Sequence, residues 1–69
     1  MKISARNVLK VRVKEIVPGT VNAEVILELP GGATVTAMIT RASVERLGLA
    51  AGKEAYAVIK ASDVMVAVD

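Results

Sequence analysis

Cysteine and histidine are both absent from the 69 residues, and the aromatic side chains are reduced to Tyr56 alone. Without cysteine there is no disulfide and no thiolate metal centre. Without histidine the commonest zinc and copper ligand is missing, and no histidine-based nucleophile relay can be assembled. One aromatic is too few for the stacking platforms on which single-stranded nucleic acids lie. No apolar run approaches the roughly 20 residues that a membrane-crossing helix needs. No signal peptide is visible either, since Met1-Lys2-Ile3-Ser4 leads straight into alternating sequence, and cytoplasmic residence is the expectation.

What is present is aliphatic. The hydrophobic share is 54%, supplied almost wholly by valine, alanine, isoleucine and leucine. Residues 1–69 make one small domain, with no room for a second. A chain this short buries a modest fraction of its surface and usually needs a disulfide, a metal or self-association for stability. The first two lack their ligands, so self-association is expected to bury the surplus apolar surface. Nine basic and seven acidic residues give a net charge of +2, but Lys2, Arg6, Lys10, Arg12 and Lys14 crowd the first fourteen positions.

Periodicity close to two predicts β-structure along most of the chain. A first strand is expected over about Val8 to Val17, with Val11, Val13 and Glu15 on one face and Arg12, Lys14 and Ile16 on the other. Pro18-Gly19 marks a turn. A second strand follows with Val21, Ala23, Val25, Leu27 and Leu29 on one face. Pro30-Gly31-Gly32 predicts a hairpin into a third strand, Thr34 to Ile39. At Thr40 the period changes: Val44 and Leu47 stand three apart, Thr40 can cap a helix and Gly48 can end it. Two further strands, over about Glu54 to Lys60 and Val64 to Val68, are apolar on nearly both faces and suggest a subunit contact. The expected fold class is all-β: an OB-like five-stranded barrel with one short helix between strands 3 and 4.

Catalytic equipment is sparse. The carboxylates Glu15, Glu24, Glu28, Glu45, Glu54, Asp63 and Asp69 are scattered, with no spacing suited to an acid–base couple or a hard-cation cage. No glycine-rich phosphate loop is present. An enzyme is not expected, and no catalytic residue, metal ligand or cofactor is assigned. Cations with hydroxyls nearby remain. Ser4-Ala5-Arg6 puts a hydroxyl and a guanidinium on one side of an extended segment. Thr40 and Ser43 offer hydroxyls at a helix start, and Lys60-Ala61-Ser62 offers an ammonium, backbone donors and a hydroxyl at a strand end. A tetrahedral dianion accepts hydrogen bonds on every oxygen and asks for such donors. Each segment also has a plain reading: a solvated strand end, a pair of helix caps, a surface lysine. Convergence of the three would separate the readings.

Three ordered motifs resemble the molbindin, or Mop-domain, family: Ser-Ala-Arg-Asn-x-Leu near the start, Thr40-x-x-Ser-Val-Glu-x-Leu-Gly in the middle, and Ile59-Lys60-Ala61-Ser62-Asp63-Val64-Met65. The resemblance covers essentially the whole chain. It implies an OB-like barrel that binds molybdate or tungstate between subunits, for storage or homeostasis of intracellular molybdenum. Single-copy members resemble this chain in length, which implies a homohexamer built as a trimer of dimers. Carried over residue by residue, the family's motifs fall on Ser4, Ala5 and Arg6, on Thr40 and Ser43, and on Lys60, Ala61 and Ser62, with Arg6 and Lys60 pairing the charge. A second class of site, on a threefold axis, implies backbone donors at Thr20, Val21 and Asn22. One departure stands out: Val11 occupies a strand position where the family usually has glycine, a residue that permits bulges and close backbone approach. The alternatives to oxyanion binding are a nucleic-acid-binding module, suggested by the basic first strand, and a purely structural OB-like interaction barrel.

Overall fold

The computed structural model describes residues 1–69. Four strands carry the fold: β1 over Asn7–Pro18, β2 over Asn22–Glu28, β3 over Thr34–Thr40 and β4 over Glu54–Ile59. A helix, α1, spans Arg41–Leu47 between β3 and β4, and a single 3-10 turn follows at Ala61–Asp63. The strands form one antiparallel sheet in the order β3-β2-β1-β4. β1 is the spine. Its first half, Asn7 to Arg12, pairs with β4, and its second half, Arg12 to Pro18, pairs with β2.

Local chemistry explains the joints. Pro30 presets the second hairpin and Gly31 supplies φ +97°, closing a turn in which the Gly32 N–H donates to Leu29 O at 3.0 Å. Thr40 caps α1 by accepting the Ser43 N–H, and Gly48 ends it with φ 65°. Leu49 then folds back, its N–H donating to Val44 O, which brings Val44 and Leu49 onto the core.

The sheet's inner face buries Val11, Val13, Ala23, Val25, Leu27 and Ala57, and these six are the only buried residues. So thin a core belongs to a half-barrel whose inner face remains open on one side.

Two sequence expectations need correction. β1 carries a bulge: Val13 pairs with Leu27 but Glu15 pairs with Ile26, so Lys14 is the extra residue. The bulge inverts the alternation. Glu15 therefore points outward and Ile16 packs on the core, opposite to strict period two. Val11, where the family usually has glycine, sits in regular pairing, buried and directly opposite the small Ala55 of β4. Finally, the expected fifth strand over Val64 to Val68 does not form within the chain. The barrel order is present with four strands, not five.

Candidate functional site

The first and last motifs meet at one corner of the sheet. Asn7 pairs with Ile59 as the final rung between β1 and β4, so Arg6 and Lys60 are the next residues on each strand and leave the sheet side by side. The Asn7 side chain locks this arrangement by donating from Nδ2 to Ile59 O at 3.2 Å. Ser4 and Arg6 are exposed with Ala5 half-buried between them, so both polar side chains face outward.

Beyond Lys60 the chain enters the 3-10 turn, in which the Asp63 N–H donates to Lys60 O at 2.9 Å. The N–H groups of Ala61 and Ser62 precede the first bond of the turn and have no acceptor in the chain. The ion pairs of the fold, Lys10 with Glu54 at 3.7 Å and Lys14 with Glu28 at 3.9 Å, lie elsewhere. Arg6 and Lys60 therefore stand together without a carboxylate pairing either of them. The corner collects two cations, two hydroxyls and two free backbone donors.

Thr40 and Ser43 are not part of it. Thr40 pairs with Asn22 at the other end of the molecule, beside the turn that follows β1. Twelve residues of β1 separate the corners, and at about 3.3 Å per strand residue that length rivals the longest dimension of the molecule, 34 Å. One copy therefore unites two of the three segments and leaves the third apart. The two hydroxyls are engaged locally: the Ser43 N–H donates to Thr40 Oγ1 at 3.0 Å, and Thr40 Oγ1 donates to Ser43 Oγ at 2.9 Å. The helix-cap role is thus filled, and the Ser43 hydroxyl proton remains free to donate outward.

This second corner also holds Thr20, Val21 and Asn22, together with a cation that sequence reasoning passed over. Arg41 ties the corner together, its backbone N–H donating to Val21 O at 2.9 Å and its Nη1 to Gly19 O at 3.3 Å. Asn7 was likewise not singled out as a positioning residue. The available signals were slight: an arginine directly after a capping threonine, and an asparagine directly after Ser-Ala-Arg.

A concavity of about 400 Å³ lies away from both corners, at the Leu29–Gly32 hairpin between Lys10, Arg12, Glu28 and Glu54. Its two carboxylates offset its cations, which makes it a poor host for a dianion. No group of three or more acidic side chains is placed to hold a metal cation. No helix is long and apolar enough to cross a membrane.

Comparison with known proteins identifies the family to which the sequence and fold belong. The TOBE domain family model matches residues 3–66. A probable molybdenum-pterin-binding protein of Haemophilus influenzae is 51% identical over 69 residues, covering all of both chains. The structure of a molybdate-binding protein from Sporomusa ovata superposes with a TM-score of 0.91 at 43% identity, covering 99% of this chain and 100% of that one. The cytoplasmic molybdate-binding protein ModG, in a form with molybdate bound, gives a TM-score of 0.91 at 52% identity over 94% of this chain and 46% of its own. With the fold, the motif order and near-complete matches in agreement, the chain belongs to the TOBE domain family and, within it, to the molbindins whose motifs it carries.

Proposed function

We propose that this protein binds molybdate or tungstate, unchanged chemically, at a seam between copies of itself. The observation that carries the reading is the Arg6–Lys60 corner: two cations side by side, no carboxylate pairing them, and the free N–H groups of Ala61 and Ser62 next to them. Like charges facing each other across a ladder are unfavourable alone. A doubly negative ion between them reverses the sign of the interaction and accepts bonds from every donor present. Arg6 and Lys60 pair the charge, while Ser4, Ser62 and the backbone of Ala5 and Ala61 fix orientation. Thr40 and Ser43 complete the shell from a neighbouring copy, since one copy holds them at the opposite end. The Thr20-Val21-Asn22 turn supplies a second class of site, and the assembly is a homohexamer, a trimer of dimers.

The Sporomusa ovata relative is described as a molybdate-binding protein, and ModG as a cytoplasmic one with molybdate bound. The same ligand, a binding role rather than catalysis, and a cytoplasmic role in molybdenum storage or homeostasis are the corresponding proposals here. Nothing in the structure favours nucleic acid, since the lone Tyr56 offers no run of stacking surfaces.

Native mass spectrometry of the full chain, with and without molybdate and with sulfate as control, tests the reading. The expected spectrum is an oligomer that gains molybdate mass in integral steps and gains none from sulfate. An oligomer with no molybdate adduct would leave a purely structural barrel and overturn the proposal.

A further inference from the structure

The turn between β1 and β2 has two backbone donors without acceptors. The Gly19 N–H donates to Asn22 O at 2.8 Å, but the N–H groups of Thr20 and Val21 donate to nothing in the chain. Both residues are exposed. Arg41 holds this turn twice, through its backbone N–H to Val21 O at 2.9 Å and through Nη1 to Gly19 O at 3.3 Å. The two ion pairs of the fold involve neither Arg41 nor Glu45, the carboxylate one helical turn further on. The guanidinium is therefore spent on a backbone carbonyl, not on an acid.

Peptide planarity turns that contact into a direction. The Gly19 carbonyl and the Thr20 N–H belong to one peptide group, and the chain has no cis bond. In a trans peptide the two point to opposite sides. A carbonyl drawn towards Arg41 therefore sends the Thr20 N–H away from it. Hydrogen bonds in a chain polarise one another, so a cation on the oxygen also strengthens the donor. Gly19 is pinned from both sides, its N–H by Asn22 O and its carbonyl by Arg41. A Cβ at Gly19 would stand 2.8 Å from Asn22 O, so the turn closes this tightly only around glycine.

We propose that Arg41 is a positioning residue for oxyanion binding at the β1–β2 turn, its guanidinium fixing the Gly19–Thr20 peptide so that the Thr20 N–H stays aimed at the anion. The inference rests on the reading of this turn as a second oxyanion site, and adds to it the side chain that prepares the donors. Arg41 itself is not a ligand there, because its guanidinium occupies the carbonyl side of the peptide whose N–H serves the anion.

The test uses the full chain in an Arg6→Gln/Lys60→Met background, which removes both cations of the other corner and leaves the turn to be read alone. Molybdate titration is followed by native mass spectrometry and by the backbone amide resonances of isotope-labelled protein. The background protein is expected to gain molybdate, with the Thr20 and Val21 amide signals moving as it does. Adding Arg41→Met leaves the backbone bond to Val21 O in place. It should weaken binding about tenfold, the cost of re-ordering one residue's backbone, and shift the Thr20 amide signal of the ligand-free protein. Adding Arg41→Lys instead keeps a charged donor for Gly19 O and should restore most of both. The remaining amide signals report whether each variant keeps its fold. Unchanged affinity in the Arg41→Met protein, or a ligand-free Thr20 signal that stays in place, would overturn the positioning role while leaving the turn as an anion site. A background protein that gains no molybdate would remove the turn as a site and the proposal with it.

Discussion

Replacing Lys60 with methionine should stabilise the ligand-free protein while damaging its binding of molybdate. Arg6 and Lys60 leave adjacent strands at the rung beyond Asn7 and Ile59, and no carboxylate pairs either of them. Both are exposed, so their repulsion acts through water. Two unit charges about 7 Å apart at a dielectric constant near 80 repel by about 0.6 kcal/mol. Lys60→Met keeps the length of the side chain and removes the charge, so the ligand-free protein should gain up to about 0.5 kcal/mol. Salt should erode that gain, because the Debye length falls to about 3 Å at 1 M. With the dianion present the sign reverses. A hydrogen bond to a charged group contributes roughly 1.5–3 kcal/mol, or about 10- to 100-fold in affinity. Thermal melts at low and high salt, with and without molybdate, alongside calorimetry, read both effects. A variant less stable than wild type without ligand, or one with unchanged molybdate affinity, would refute the idea that these two cations are held together for an anion.

Two further substitutions probe the supports of the site. Asn7→Ala removes the bond to Ile59 O and should cost about 1 kcal/mol of stability; calorimetry should show weaker molybdate binding although no proposed ligand is altered, and an unchanged affinity would show that Asn7 does not position the corner. Gly48→Ala places a Cβ in ordinary contact with the Lys53 side chain, 3.9 Å away, but at φ +65°, so the backbone alone should cost about 1 kcal/mol, seen as a melting point lower by roughly 4–8 °C.

What the sequence disclosed, and what it concealed, follows from the range of each interaction. The four strands, the Pro30-Gly31 hairpin and the Thr40-to-Gly48 helix are local. Alternation, turn chemistry and capping identify them within a few residues, and their boundaries moved little in the structure. The bulge at Lys14 was hidden because it is a property of the pair, visible only when β1 is laid against β2. Val-Lys-Glu-Ile reads as uninterrupted alternation until Leu27 and Ile26 take up Val13 and Glu15 as successive partners. The segment Val64–Val68 has the composition of a buried strand, and composition does not say whose barrel buries it. Within one chain it is buried by none.

The candidate site divides along the same line. Ser4-Ala5-Arg6 and Lys60-Ala61-Ser62 were legible as donors, but their union depends on a ladder rung more than fifty residues apart in sequence, held by an asparagine that looked like one more polar strand end. The separation of Thr40 and Ser43 from that union is the more informative result. On the proposed reading, a single copy gives the anion two cations and leaves part of its surface uncovered. If a second copy supplies the remaining hydroxyls, the ligand binds only the assembled state, and mass action stabilises that state by RT ln(1 + [L]/Kd), about 2.7 kcal/mol at a hundredfold excess over Kd. A core of six buried residues has little stability to spare, so the free copy would be the species most easily lost when the anion is scarce. In that arrangement a thin core and a half-built site act together: assembly completes the site, and the anion shifts the equilibrium towards the assembled state.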